Sequence, residues 1–259
     1  MKLTSLFNKI TAALLVFAVS GSAGGAKNEK MNWFFSKPGN GERPTAVGGK
    51  IDPDEYGALW LGPEGDKTVY LTFDAGYANE NVGKVLDTLE KHGAKAAFFI
   101  LPGIIRNSPE TVKRMVEGGH TLCNHSTHHG DVSKITGKDE LDKELKGVEE
   151  AFYGLTGKEL TKYFRPPEGA FSVKTLEMCR ELGYTPVFWS YAYADWDNNA
   201  QPDPERSKEK LLNAAHDGMV LLLHPTGATN AEILDGVLTA LEEKGYSFGT
   251  LDQLKEKMN

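Results

Sequence analysis

The chain has 259 residues, 40% of them hydrophobic and 25% charged, and a formal net charge of -7. That length can bury a full core, as one barrel-sized domain or two small ones, and the composition excludes whole-chain disorder and coiled coil. An acidic chain with no long Lys/Arg run lacks the footprint of a nucleic-acid binder, whose target phosphates need cationic partners.

In chain order, Lys2 and Lys9 make a positive start, residues 10–19 are apolar and residues 20–26 are mostly small. Residues 1–26 therefore read as a secretory signal, cleaved between Ala23 and Ala26, with an uncleaved anchor as the alternative. The apolar run is short for a membrane span, so none is expected after cleavage. The small-residue stretch holds no cysteine to lipidate. Residues 27–66, rich in Gly, Pro and charge, read as a linker and lead-in. Trp33, Phe34, Phe35 and Trp60 are expected to pack on the domain that follows, residues 67–259.

From there strand and helix signals alternate. TVYLTF (68–73) is the first strand, and Val82, Val85, Leu86 and Leu89 mark one face of a helix stopped at Gly93. Residues 96–101 are the second strand, and Ser108-Pro109 opens a helix. Residues 120–124 are a third strand, and Leu141, Leu145, Val148 and Phe152 define the next helix. Tyr163-Phe164 is the fourth strand, and Ser172 caps a helix. Residues 186–190 are the fifth strand, and Ser207 is expected to cap a helix running to His216. MVLLLH (219–224) is the sixth strand, followed by a helix on Leu234, Val237, Leu238 and Leu241. Residues 246–250 are the seventh strand, and a short helix ends the chain. Seven apolar strand-helix units predict an α/β fold, a parallel (β/α)7 barrel one unit short of the usual eight, with an open doubly wound sheet as the alternative. The cysteines, Cys123 and Cys179, read as ordinary buried thiols, with a disulfide as the alternative.

A parallel barrel keeps its active site at the C-terminal ends of its strands. Asp74 follows the first strand, His125 and His129 the third, Arg165 the fourth, Asp195 the fifth, and His224 ends the sixth. Each alone has an ordinary structural reading: a turn aspartate, an idle histidine pair, a satisfied core histidine. Together they place acid, base and metal-ligand chemistry on one face.

The ordered set TFDAG (72–76), HSTHH (125–129), RPPEGAFS (165–172), Trp189-Ser190 with Asp195-Trp196, and LLLH (221–224) resembles the motif series of the polysaccharide deacetylase family, the NodB-homology fold of carbohydrate esterase family 4. The resemblance runs from about Trp60 to the C-terminus. YGALWLG (56–62), TFDAGY and DWDNN (195–199) are most similar to its muramic δ-lactam-forming peptidoglycan deacetylases, a branch associated with sporulation.

The resemblance implies a hydrolase that removes N-acetyl groups from peptidoglycan amino sugars, with chitin-like polymers or exopolysaccharide as alternative substrates; with the signal segment, the chain is expected to be secreted to the cell envelope, as a monomer. It makes Asp74 the general base, paired with Arg165, and His224 the general acid, held protonated by Asp195. It gives His125 and His129 a divalent metal, Zn2+ by preference, with Ser126 shaping their loop. It makes the Glu168 N–H an oxyanion donor, Leu222 part of the acetyl pocket and Trp196 a cleft wall. Two residues depart from the family pattern. Ala75 stands where relatives carry a third metal ligand, so the alternatives are weak metal binding, another oxygen ligand such as the nearby Asp131, or a different ion, and Glu168 stands where a basic or aromatic side chain is usual. A non-catalytic sugar-binding module with a decayed metal site is the competing reading of another class.

Overall fold

The computed structural model describes residues 27–36, 39–46 and 52–259. The expected signal over residues 1–26 lies outside the described residues.

The central strand is β2 (Thr68–Ala75; β1, Met31–Asn32, lies in the lead-in). It runs parallel to β3 (Ala96–Ile100) on one side and β8 (Met219–Leu223) on the other, and its start also pairs with β9 (Ser247–Phe248). Beyond β3 come β4 (Thr121–Asn124), β5 (Tyr163–Phe164) and β7 (Thr185–Pro186), giving the order β7-β5-β4-β3-β2-β8. β7 is two residues long, shorter than its apolar run suggests. The chain leaves it and then docks on β8: Ser190 N–H donates to Val220 O at 2.9 Å and Leu222 N–H to Tyr191 O at 2.9 Å. That contact brings the two edges of the sheet together into the expected barrel.

Period-2 alternation decides what faces inward. Val69, Leu71 and Phe73 point outward to the helices, with Phe73 stacked on Phe98 at 5.1 Å. Tyr70, Phe99, Val187 and Val220 fill the interior, joined by Leu251 and Leu254 of the last helix, α8 (Leu251–Met258). The helical layer is α1 (Glu80–Lys91), α2 (Pro102–Asn107), α3 (Pro109–Glu117), α4 (Lys138–Thr156), α5 (Val173–Glu181), α6 (Pro204–Ala214) and α7 (Ala228–Glu243). Each fully buried Leu, Val or Phe on these faces contributes about 1.5–3 kcal/mol.

Two local expectations change. A short helix, α2, intervenes before α3. α6 begins at Pro204 with Asp203 as its cap, the carboxylate accepting from Arg206 N–H at 2.9 Å, and Ser207 lies buried inside the first turn. Asp-Pro supplies both a cap oxygen and a preset φ at N1, so it starts the helix earlier than Ser207 could.

The lead-in is packed against the barrel. β1 pairs antiparallel with β6 (Ala170–Phe171), and Leu59 exchanges backbone hydrogen bonds with Pro186 and Phe188. Trp33 stacks on Phe188 at 4.6 Å, meets Trp60 edge-on, and donates its Nε1–H to Trp189 O. Phe35 is half-buried beside Tyr191. Phe34, expected to pack, is 62% exposed. On an extended segment the residue next to an inward Trp33 faces out.

Cys123 and Cys179 are both free and buried, as expected of ordinary thiols. Burial pushes each thiol up to about 12. Among the described residues no helix is long and apolar enough to cross a membrane.

Candidate active site

The inward register of β2 sends Asp74 to the mouth of the barrel, where it meets Arg165 just past β5. Arg165 is fully buried, and its guanidinium donates to Asp74 Oδ1 at 2.7 Å, Thr72 Oγ1 at 2.8 Å, and the carbonyls of Val187 and Phe188. It also lies 4.1 Å from the Phe99 ring centroid. Burial pushes the Asp74 pKa up, but the positive field of Arg165 first, then of His125 and His224, reverses this and leaves it below the usual aspartate value.

The His125–His129 segment is a compact loop, not a helical turn. Ser126 and His129 both take positive φ, 71° and 54°. Non-glycine residues rarely accept that geometry, so the neighbours must impose it. Asn124 Oδ1 accepts from Ser126 N–H at 2.9 Å, and Ser126 Oγ accepts from His129 N–H at 3.0 Å. Glu144 holds the Thr127 and His128 amides. The result sets the His125 and His129 rings edge to face, centroids 5.0 Å apart.

His125 Nδ1 lies 2.9 Å from Arg165 O. A carbonyl only accepts, so Nδ1 carries the proton. Burial pushes the His125 pKa down to about 4, so the ring is neutral and Nε2 is a bare lone pair. Nε2 stands 3.5 Å from Asp74 Oδ2, two acceptors facing each other, a polarity that suits a cation between or beside them. His125 and His129 thus fit a divalent ion as a two-imidazole site. Among the described residues no trio of His, Cys, Asp or Glu is arranged to hold one. Ala75 is buried and offers no donor. Asp131, the nearby alternative, is committed elsewhere: one oxygen takes Ser133 N–H and Oγ–H, and the other pairs with Lys30 at 2.8 Å.

Across the mouth, His224 Nδ1 sits 2.7 Å from Asp195 Oδ1, and its backbone N–H donates to Oδ2 at 2.8 Å. Burial lowers the His224 pKa, but the bond to Asp195 and the charges of Asp195 and Asp74 outweigh it and raise the value. Trp196, 61% exposed, meets the His224 ring edge-on at 6.3 Å.

Between these pairs lies a cavity of about 640 Å³ lined by Asp74, His125, His129, Glu168, Leu222, Trp196 and His224, with Trp189, Leu101, Tyr77 and Tyr193 completing the wall. All the sequence-predicted site residues except the wholly buried Arg165 and Asp195 line it, and those two each hold a residue that does. Glu168 occupies a turn with two successive left-handed residues, itself at φ 57° and Gly169 at 65°. Trp33 N–H clamps this turn through Gly169 O at 2.8 Å.

Sequence reasoning passed over Thr72, Asn124 and Asn230, buried polar groups that position the recognised ones. Their only signal is adjacency: each lies one, two or six residues from a residue singled out for chemistry.

A parallel barrel whose mouth carries a buried Arg-Asp pair, an Asp-His pair and two adjacent imidazoles is a hydrolase framework. Residues 62–187 match the polysaccharide deacetylase family. The peptidoglycan-N-acetylmuramic acid deacetylase PdaA of Bacillus subtilis is 39% identical over 245 residues, 94% of this chain and 92% of that protein. The PdaA structure, described as a family 4 carbohydrate esterase, matches with a TM-score of 0.85 at 39% identity, covering 90% of this chain and 99% of that one. The peptidoglycan-N-acetylglucosamine deacetylase PgdA of Listeria monocytogenes is 35% identical over 189 residues, 73% of this chain and 39% of that protein. A Bacillus anthracis protein described as a family 4 pseudoenzyme matches with a TM-score of 0.71 at 25% identity, covering 80% of this chain and 70% of that one. The chain belongs to the polysaccharide deacetylase family, carbohydrate esterase family 4.

Proposed function

We propose that this chain hydrolyses the N-acetyl amide of muramic acid residues in peptidoglycan, releasing acetate, as a secreted monomer working in the cell envelope. Its near full-length similarity to PdaA supports the substrate. The observation that carries the chemistry is that Asp74 and His224 line one cavity, each held by a buried partner of opposite charge.

Hydrolysis adds water to the acetyl carbonyl, breaks the C–N bond and needs two proton transfers. Asp74, held ionised by Arg165, takes the proton of the attacking water. His224, held protonated by Asp195, gives its proton to the leaving nitrogen. His125 and His129 would hold a divalent ion, Zn2+ in this reading, which would supply carbonyl polarisation and a lower pKa for the attacking water. The Glu168 N–H faces the developing oxyanion from its strained turn. Leu222 packs on the acetyl methyl, and Trp196 offers a sugar face an aromatic wall.

The competing reading, a sugar-binding module without turnover, is favoured by Ala75 alone. The complete acid and base pairs favour catalysis.

Acetate release from the purified protein separates the readings. The substrates are peptidoglycan freed of stem peptides, intact peptidoglycan and chitin oligomers, each with chelator or added Zn2+. Release mainly from the peptide-free glycan, suppressed by chelator, supports the proposal. Release mainly from chitin oligomers moves the substrate, and binding without release from any of them supports the module.

A further inference from the structure

Asn230 lies in the first turn of α7, is 1% exposed and touches both members of the acid pair. Its Nδ2 donates to Asp195 Oδ2 at 2.6 Å and to His224 O at 2.9 Å. Both partners only accept, so the amide nitrogen must face them, and the orientation of the side chain is not ambiguous. Its Oδ1 then faces the Tyr193 hydroxyl, which donates to it. Tyr193 itself lines the cavity.

We infer that Asn230 is a positioning residue for the deacetylation reaction, and that Tyr193 sets its orientation; this rests on the deacetylase reading above. The argument is one of donors and acceptors. Asp195 is buried and presents two oxygens. Oδ2 is saturated by two N–H groups, from His224 and Asn230. That fixes the carboxylate rotation and leaves Oδ1 with one task, the His224 Nδ1–H. Without Asn230, the His224 backbone N–H alone among the described residues holds Oδ2, and the carboxylate can rotate away from the imidazole. The same amide nitrogen ties the His224 carbonyl, so the acid and its anchor move as one unit. Tyr193 makes the cavity wall part of that unit. The charged groups that act on His224 are Asp195, Asp74 and Arg165, and Asn230 changes the charge of none of them.

The test uses the full protein with Asn230→Ala and, as a milder change, Tyr193→Phe. Two quantities are read: the titration of His224 by NMR of 13C-labelled histidine, assigned by its loss in His224→Gln, and the kinetics of acetate release with their pH profile. The expected result for Asn230→Ala is a His224 titration at lower pH, because burial then dominates. A kcat about 10- to 100-fold down, with KM nearly unchanged, accompanies it. Tyr193→Phe shifts both in the same direction by less. A His224 titration that stays in place or rises, in folded variants, overturns the inference. If Asn230→Ala does not fold, Tyr193→Phe alone decides by the same criterion. A shifted titration in a protein that releases no acetate even as wild type keeps the positioning role and removes the deacetylase reading.

Discussion

Arg165 and Asp74 form a buried charge contact at the barrel mouth, Nη1 to Oδ1 at 2.7 Å, with the guanidinium fully enclosed. Removing one partner of such a pair strands the other, so the contact ties stability to catalysis. Asp74→Asn keeps an oxygen for Arg165 and removes the base. The expected outcome is a folded protein weaker by about 1.5–3 kcal/mol. Its acetate release falls by about 10²- to 10⁴-fold. Near-normal turnover would remove Asp74 from its assigned role. Because the folded pKa of Asp74 is depressed, its contribution to stability is present above the unfolded value of about 3.9. It is lost as pH falls through the lower folded value.

His224 has the opposite sign. Its folded pKa is raised, so its stabilising contribution is complete below the unfolded value of 6.5 and is lost as pH rises through the higher folded value. A urea-denaturation series should show wild type losing its advantage over His224→Gln across that window. In the rate profile the alkaline limb belongs to His224 and disappears in His224→Gln, with the greatest loss for the poorest leaving amines. An unaltered alkaline limb would assign the acid elsewhere.

Ala75 sits at the end of β2, buried with its methyl in the helix-facing core. Ala75→Asp places a carboxylate there. Alone it is unsatisfied and costs about 1–3 kcal/mol. Only where the strand end turns it toward His125 and His129 does an ion shared with them make it a third ligand. The variant should therefore melt lower than wild type under chelator and gain more from Zn2+, as ligand linkage requires. Equal Zn2+-induced shifts in Tm for the two proteins would mean that the ion does not reach this position.

Gly169→Ala tests the strained turn. Its φ is +65°, and an added Cβ would stand 2.9 Å from Trp189 Cη2 and 3.0 Å from Trp33 Cβ. The left-handed conformation costs a non-glycine residue about 1–2 kcal/mol. Overpacking adds about 1–3 kcal/mol. Equilibrium denaturation should register the sum, and kcat should fall because Glu168 shares the turn. A stability equal to wild type would show that the two tryptophans yield easily.

Much of this molecule was legible in its sequence because strand runs such as TVYLTF and MVLLLH carry their own period, and because a parallel barrel turns strand ends into a site. Asp74, His125, Arg165 and His224 are found by that logic alone. What escaped depends on pairing that composition does not record. α2 is six residues of PGIIRN, too short to display a helical period. The closure of the barrel by Ser190 and Tyr191 is a matter of backbone hydrogen bonds after β7 has ended. Asn230 reads as a helix-start residue until Asp195 is seen beside it. Phe34 misled because hydrophobicity does not say which side of an extended segment faces in.

The two thiols sit in different compartments: Cys123 inside the barrel with Tyr70 and Phe99, Cys179 on α5 in the cluster it shares with α4. Neither ionises near neutral pH, and neither meets solvent in the closed molecule. A thiol-labelling reagent therefore reacts only when a compartment opens, and the two sites time two different events. The chain carries a pair of native stopwatches, one for the breaching of the barrel and one for the lifting of its helical coat.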